Sequence, residues 1–511
     1  MNLSRLQAGP LLSILVVLAS IAAVGVFLVQ HSFSLYDDAY IYFRYVESSF
    51  AGCALRYSCG EAPVEGFTSP LYLLALHGLR LFSRDLEATS QLLNAALMIA
   101  SVSMAALTAG RLVDDQARLV VTIATLAILV LDDHILLNSV VGLETALVTF
   151  AVTALFRASA RPDEDVTQRG NLLGLLLVLA TLARPECALL LLLWPLAIGP
   201  FPWRRAVLPA LALGAVALVR WWIFGDFVPN TAHAKAGGTA AHLSLGWDYI
   251  LLGISDFPYC LLAGLALLQP AARIAARLFF PGVVLLMASF LYTGGDTFVY
   301  SRFLAPFAPA CAALAVVGSA SLAGRLSKRS WISGFVPAAL ALLLAGRAFF
   351  AHAIPPQHGF DNVLRYQEAG IFLGRTFKGA TLATAAVGAI AYHSGNPIID
   401  LLGLTDRHIA RTRSTLPPDR MQRHAIGHER HDAAYVLARQ PEVIVTVTWQ
   451  RRPFRRGDEL NVAVHAEWEL VERVRSGEAN YVPYTPEVAP GIWFLMFVRR
   501  DVAEALGVIG G

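Results

Sequence analysis

Residues 11–30 read LLSILVVLASIAAVGVFLVQ, twenty positions without a charge, and residues 37–45 just beyond read DDAYIYFRY. A helix needs about 20 apolar residues to cross the hydrocarbon core. The first stretch is therefore a membrane span, and the second sets two carboxylates and an arginine at its exit. Arg5 precedes the span much as a basic residue precedes the apolar core of a signal peptide. No small-x-small cleavage site closes it and further apolar runs follow, so it reads as an uncleaved signal anchor.

The same pattern recurs at 90–110, 118–131, 141–156, 171–183, 187–200, 206–224, 256–270, 278–292, 303–324 and 331–350, giving about eleven spans with the first. The pair 171–183 and 187–200 is split by Arg184-Pro185-Glu186 and is either two short helices or one interrupted one. Of the 511 residues 56% are hydrophobic and only 15% charged, with a mean hydropathy of +0.56. Soluble domains are nearer a quarter charged, so an ordinary cytosolic enzyme is excluded. With 40 basic and 37 acidic residues the net charge is +3, which offers nothing to nucleic acid. Lipid bilayer is the expected partner.

Arg and Lys set the orientation. With the N-terminus inside, alternate loops carry Arg111/Arg118, Arg157/Arg161/Arg169, Arg204/Arg205, Arg273/Arg277 and Arg325/Lys328/Arg329. That is the cytoplasmic bias of the positive-inside rule. An odd number of spans then leaves everything after about 351 outside. The sequence thus divides into a membrane domain, 1–350, and an extracytoplasmic α/β domain, 351–511, and its alanine and arginine richness points to a GC-rich bacterium and hence to an inner membrane. In the second part Thr381–Val387, Pro397–Leu402, Val443–Thr448, Glu467–Val474 and Gly491–Val498 read as strands, with helices near 361–375 and 431–439. Arg451, Arg452, Arg455 and Arg456 read as a solvated surface, with contact to anionic lipid heads as the alternative. Cys53 and Cys59 share one polar loop and are either bridged or free.

The outer loops, and not the inner ones, collect the unexpected polar residues. An ionised group at bilayer depth costs about 2.5–3.5 kcal/mol by insertion scales, so such groups pair, face water or do chemistry. Arg44, Arg184, His233, Lys235 and Arg302 are suited to an anionic headgroup such as a phosphodiester. Glu65, Glu144, Glu186, Asp226, Asn230 and Asp296 complete the expected substrate-binding set. Asp37 and Asp38 stand where a lipid-borne sugar would be presented, and a carboxylate there can take a proton from an acceptor hydroxyl. Two adjacent acids also allow a divalent cation held through oxygen, whereas an Asp–Arg network explains them without a metal.

An acid pair in the first outer loop resembles the GT-C class of membrane glycosyltransferases. DDAYIYFRY, GEAPVEGFTSPLY, GLETAL, ARPE, GDFVPNTAHAK, GGDTFVYSRFLAPFAP and IIDLLGLTDRHIAR run in order from 37 to 411. As a series they resemble the motifs of the mycobacterial terminal arabinofuranosyltransferases and their bacterial relatives. That resemblance implies a GT-C fold and a polyprenyl-phosphoryl arabinofuranose donor, with the sugar passed to a hydroxyl of an extracytoplasmic glycan or glycoprotein. It implies Asp37 as the base, Arg44, Glu65 and 225–235 around sugar and phosphate, and Asp296 and Arg302 closing the site. The stereochemical expectation is inversion. Asp400 and Asp406 either cap local turns or reach the acceptor from a domain folded over the cavity. The same reaction with mannose or galactofuranose is the alternative, and a lipid-linked saccharide transporter is a more distant one, since its polar groups should sit at the bilayer midplane.

Overall fold

The computed structural model describes residues 3–31, 35–160, 166–198, 203–235, 237–298, 300–326, 330–350, 357–413, 426–455, 458 and 464–507. Ten of the eleven apolar runs fall, over most of their described residues, on one helix each, while 256–270 is broken into the short helix Tyr259–Leu262 and the 3₁₀ turn Ala263–Leu268. Among the described residues Pro10–Gln30, Leu86–Arg111, Pro270–Thr293 and Ala305–Leu326 are long and apolar enough to cross a membrane, and the sharply bent pair Ala240–Asp256 and Tyr259–Leu268 brings the number to five at most. Thr145–Ser159, Gly170–Ala183, Pro209–Phe224 and Gly334–Leu344 are apolar but shorter. The difference from eleven is one of length: 171–183 and 187–200 become separate helices around a 3₁₀ turn at Pro185–Cys187. Ala308–Leu326 is the middle of the bundle, buried almost all round because alanine and glycine let its neighbours approach. Peripheral helices instead turn Leu218, Trp221 and Trp222 outward, as a lipid-facing surface requires.

The last third of the chain builds a mixed sheet of six strands: β1 Leu382–Thr384, β2 Ile398–Asp400, β3 Val443–Gln450, β4 Tyr481–Tyr484, β5 Glu487–Ala489 and β6 Ile492–Arg499. Their order is β2-β1-β3-β6-β4, with β5 also on β6. The β2-β1-β3 part is parallel and the β6 pairings are antiparallel. The expected strand Glu467–Val474 is a helix, His465–Arg475. Its buried positions, Ala466, Glu467, Leu470, Val471 and Val474, repeat at helical spacing, and only the Trp468/Leu470 alternation imitates a strand. Strands β4 and β5 escaped the sequence reading because Pro483 and Pro486 read as breakers. Arg452 pairs with Asp458 at 2.8 Å; Arg456 lies outside the described residues.

Two side chains of one helix, Asp37–Phe50, hold this sheet to the membrane bundle. The Asp37 carboxylate accepts the amides of Gly388 (2.9 Å) and Ala389 (2.8 Å), at the start of the short helix Ala389–Ser394. Arg44 donates to the carbonyls of Gly395 (3.2 Å) and Asn396 (3.1 Å) at its other end. Each side chain complements the partial charge of the end it meets. Gly388 is obligatory, since a Cβ there would lie 1.8 Å from the Asp37 carbonyl oxygen. Beside this contact Cys53 and Cys59 form a disulfide with Cα atoms 5.2 Å apart. The loop it closes docks on the same region: the Tyr57 hydroxyl donates to the Val387 carbonyl, and Ser58 accepts the Ile398 amide at 3.2 Å.

Glu467 is fully buried and accepts the Val447 amide at 3.0 Å where the β3–β6 register shifts. Burial pushes its carboxyl up to about 8, against the opposing pull of the Val447 and Ala385 amides. A carboxyl raised in the folded state binds its proton more tightly than the unfolded chain does. Its contribution is complete below the ordinary glutamate range and is lost as pH rises through about 8. Melting in detergent from pH 5 to pH 8 should therefore show stability falling by up to about 1.4 kcal/mol per pH unit, and Glu467→Gln should flatten that slope.

Candidate active site

Asp38 follows Asp37 on the helix but points elsewhere, toward Arg302, with Asp38 Oδ2 3.6 Å from Arg302 Nη1. Several backbone features assemble this neighbourhood. The Tyr36 amide donates to the Val141 carbonyl (3.1 Å) and the Tyr72 hydroxyl to the Gly142 carbonyl (2.8 Å), which pins the loop carrying Glu144 beside the acid pair. Gly142 has φ 76°, and a Cβ on it would meet Leu35 at 2.4 Å, so only glycine permits that approach. Further along, the Arg273–Thr293 helix ends on left-handed Gly294 and Gly295, and a Cβ on Gly295 would strike the Tyr249 ring at 2.4 Å. The turn they allow carries Asp296 and Arg302 inward.

Arg302 and Arg184 form the cationic centre. Arg302 binds Asp296 through Nε and, at 3.2 Å, through Nη2. Arg184, at the break before Pro185, lies 3.3 Å from Glu186 and 3.6 Å from Glu144. Both guanidiniums lie against Phe303, at 4.2 Å and 5.4 Å from its centroid, and Arg302 also covers Phe298 at 4.2 Å. Such stacking suits the weakly hydrated, planar guanidinium. Of the expected set, Asp38, Glu144, Arg184, Glu186, Asp296 and Arg302 are brought together here. Only Asp38 and Glu186 keep appreciable exposure, 26% and 36% of their side chains. Two donors here lack a hydrogen-bond acceptor among the described residues: the buried Arg184 Nη1, for which Glu144 Oε1 stands 3.6 Å away, and the buried Tyr249 hydroxyl, which is approached by the Phe303 amide. A buried orphan donor is costly unless a ligand completes it. Among the described residues no three or more His, Cys, Asp or Glu converge as a metal-holding group.

The remaining expected site residues form two other groups. Asp37 and Arg44 are committed to the Ala389–Ser394 helix as described; burial raises the Asp37 carboxyl to about 6. Glu65 makes a bidentate pair with Arg220, at 2.5 and 2.9 Å, and its carbonyl accepts the Asn230 amide at 3.0 Å. Arg220 escaped the sequence reading because it lies inside an apolar run. Asn230 Nδ2 donates to the carbonyls of Gly403 (2.8 Å) and Leu404 (3.0 Å). Asp226 binds His233 at 2.8 Å and Arg411 at 2.5 Å, while Lys235 has no ion pair among the described residues and packs beside Gly427. The 398–411 segment therefore does fold onto the 225–235 loop, through the Gly403 and Leu404 carbonyls and the Arg411 side chain. Its acids serve turns: Asp400 accepts the amides of Leu402 (2.8 Å), Gly403 (3.1 Å) and Thr405 (2.6 Å) and the Thr405 hydroxyl (3.0 Å), and Asp406 caps Arg407–Ala410.

Residues 360–489 match a family described as a domain of unknown function, DUF8728. No curated protein matches the chain. The crystal structure of ArnT from Cupriavidus metallidurans bound to undecaprenyl phosphate superposes with a TM-score of 0.57 at 12% identity, over 95% of this chain and 98% of that one. Its apo state gives 0.52 at 13% identity, over 95% and 97%. The chain therefore has the GT-C membrane fold of ArnT.

The Glu65–Arg220 pair is open to a direct check. Removing one member of a buried pair strands the other, at a cost of about 3–5 kcal/mol. Arg220→Met should lower the melting temperature of the detergent-solubilised protein sharply, and adding Glu65→Gln should restore most of the loss.

Proposed function

We propose that the chain is a multi-pass membrane glycosyltransferase that takes a sugar from a polyprenyl phosphate and passes it to a hydroxyl of an extracytoplasmic glycan or glycoprotein. The observation that carries this reading is the buried Arg184/Arg302 pair, with Arg184 Nη1 lacking a hydrogen-bond acceptor among the described residues, beside a partly exposed Asp38. A phosphate oxygen would complete Arg184 Nη1 and the Tyr249 hydroxyl. The ArnT structure of the same fold was obtained with undecaprenyl phosphate, which supports that ligand class. The ordered motifs between 37 and 411 favour arabinofuranose as the sugar. The disulfide at Cys53–Cys59 favours an oxidising compartment for this face, such as the periplasmic side of an inner membrane.

We assign the base to Asp38. Both oxygens of Asp37 already accept backbone amides, whereas the described partner of Asp38 is Arg302 alone, on one oxygen. In an inverting transfer Asp38 takes the acceptor hydroxyl proton as the oxygen attacks the anomeric carbon. The bond from that carbon to the phosphate oxygen breaks, and its electron pair leaves with the polyprenyl phosphate. Arg302 and Arg184 neutralise the charge that develops there. Asp37 acts at one remove, by seating the sheet.

Membranes carrying wild type, Asp38→Asn or Asp37→Asn, given synthetic polyprenyl-phosphoryl arabinofuranose and an arabinan or glycopeptide acceptor, test the assignment. Wild type should transfer with inversion, seen by NMR of the product. Asp38→Asn should lose about 10²–10⁴-fold in rate, the range for a general base, while still binding undecaprenyl phosphate. Asp37→Asn should lose activity together with thermal stability. Wild-type rates in Asp38→Asn would remove Asp38 as the base, and transfer from mannose or galactofuranose donors alone would replace the sugar.

A further inference from the structure

Four non-glycine residues with positive φ occur among the described residues, and two of them, Tyr300 (φ 75°) and Ser301 (φ 41°), are consecutive and lead directly into Arg302. Left-handed backbone at a tyrosine and a serine is unfavourable and persists only where the surroundings over-determine it. Here the restraint is visible. The Ser301 hydroxyl donates to Asp256 Oδ2 at 2.7 Å, and the Ser301 carbonyl accepts the amides of Leu304 (2.8 Å) and Ala305 (3.0 Å) at the start of the next helix. Asp256 is the last residue of the Ala240–Asp256 helix and is buried. It is itself held, for His134 places one ring nitrogen 3.6 Å from Asp256 and the other 3.4 Å from Asp132, and the Tyr259 hydroxyl donates to Asp132 at 3.1 Å.

We infer that Asp256, acting through the Ser301 hydroxyl, is a positioning residue for Arg302. The hydroxyl contact fixes the left-handed turn, the carbonyl feeds the following helix, and the Arg302 side chain is thereby turned back onto Asp296 and Asp38. The described contacts of Asp256 include Ser301 and His134, and through Ser301 the geometry of the phosphate-binding guanidinium depends on it. The inference rests on the reading of Arg302 as the group that neutralises the leaving phosphate.

The test uses Ser301→Ala, Ser301→Gly and Asp256→Asn in the full-length protein in membranes. Ser301→Gly is the informative variant, because glycine accepts the backbone conformation and lacks only the hydroxyl. All three should raise the KM for the polyprenyl-phosphoryl donor and weaken inhibition by undecaprenyl phosphate, with kcat/KM for the donor falling by up to about 10²-fold, the scale for a roughly 1 Å misplacement. The KM for acceptor should not move. If Ser301→Ala fails to accumulate, the other two decide. Donor KM and undecaprenyl phosphate inhibition at wild-type values in Ser301→Gly and Asp256→Asn would overturn the inference while leaving the proposed function standing. A role in folding alone would lower the maximal rate in proportion to the folded protein recovered, with both KM values unchanged, and would overturn it equally. Wild type that neither transfers nor binds undecaprenyl phosphate would remove the proposed function, and the inference with it.

Discussion

The contact on which the rest of the structure depends is the one between the Asp37–Phe50 helix and the Ala389–Ser394 helix. Asp37 and Arg44 are seven residues apart, and so are Gly388 and Gly395, whose amide and carbonyl they bind. At 1.5 Å per residue both intervals span about 10.5 Å, so two parallel helices meet in register at both ends. Each contact is charge-assisted and each opposes the partial charge of a helix terminus. Tyr40 and Phe43, between the two clasps on one helix, pack on Tyr392 of the other. In open parallel sheets ligands bind beyond the carboxyl ends of the strands, where the strand order reverses. Here the order β2-β1-β3 reverses at β1, and the membrane bundle supplies its own carboxylate at that place.

A second constraint is that charge near a bilayer must be matched locally. Arg302 is held by Asp296 and Asp38, Arg184 by Glu186 and Glu144, and Arg220 by Glu65. In Arg184 and Arg302 alike Nη1 meets a carboxylate only at 3.6 Å, and in Arg184 that nitrogen is buried. Arg220 and Glu65, by contrast, form two short hydrogen bonds with each other, and that pair is structural. Composition cannot separate the two cases, because each is an Arg paired with a Glu. Pairing geometry separates them.

Much of the fold was legible because it follows from pattern. Uncharged runs became helices, and the strands at 382–384, 398–400, 443–450 and 492–499 fell on the short apolar runs at 381–387, 397–402, 443–448 and 491–498. Length was less legible: where a helix ends depends on tertiary packing, so eleven runs do not become eleven full spans. The Glu467–Val474 helix was hidden because one alternating pair outweighed the wider spacing, and a buried Glu467 looks in sequence like an exposed one. The site was legible as a set of motifs, though not as a division of labour. Arg44 looks like a phosphate ligand until its carbonyl partners, some 350 residues away, are in view. Asp256 and His134 carry no motif, and only the turn at 300–301 reveals them.

The acid pair itself shows why. Two adjacent carboxylates repel, which in sequence argues that some shared ligand holds them together. On a helix, however, neighbouring side chains are rotated by about 100°, so Asp37 and Asp38 cannot both face one small cavity. They diverge, one to the Gly388 and Ala389 amides and the other to Arg302. The repulsion is relieved by two separate cationic or dipolar partners and needs no common ion. Adjacency then has a different meaning: the residue that seats the C-terminal sheet and the residue that faces the arginine centre are one peptide bond apart. The carboxylate that meets the Gly388 amide and the carboxylate beside Arg302 thus belong to neighbouring residues of one turn. The docking contact and the proposed chemistry therefore share the backbone of a single helical turn.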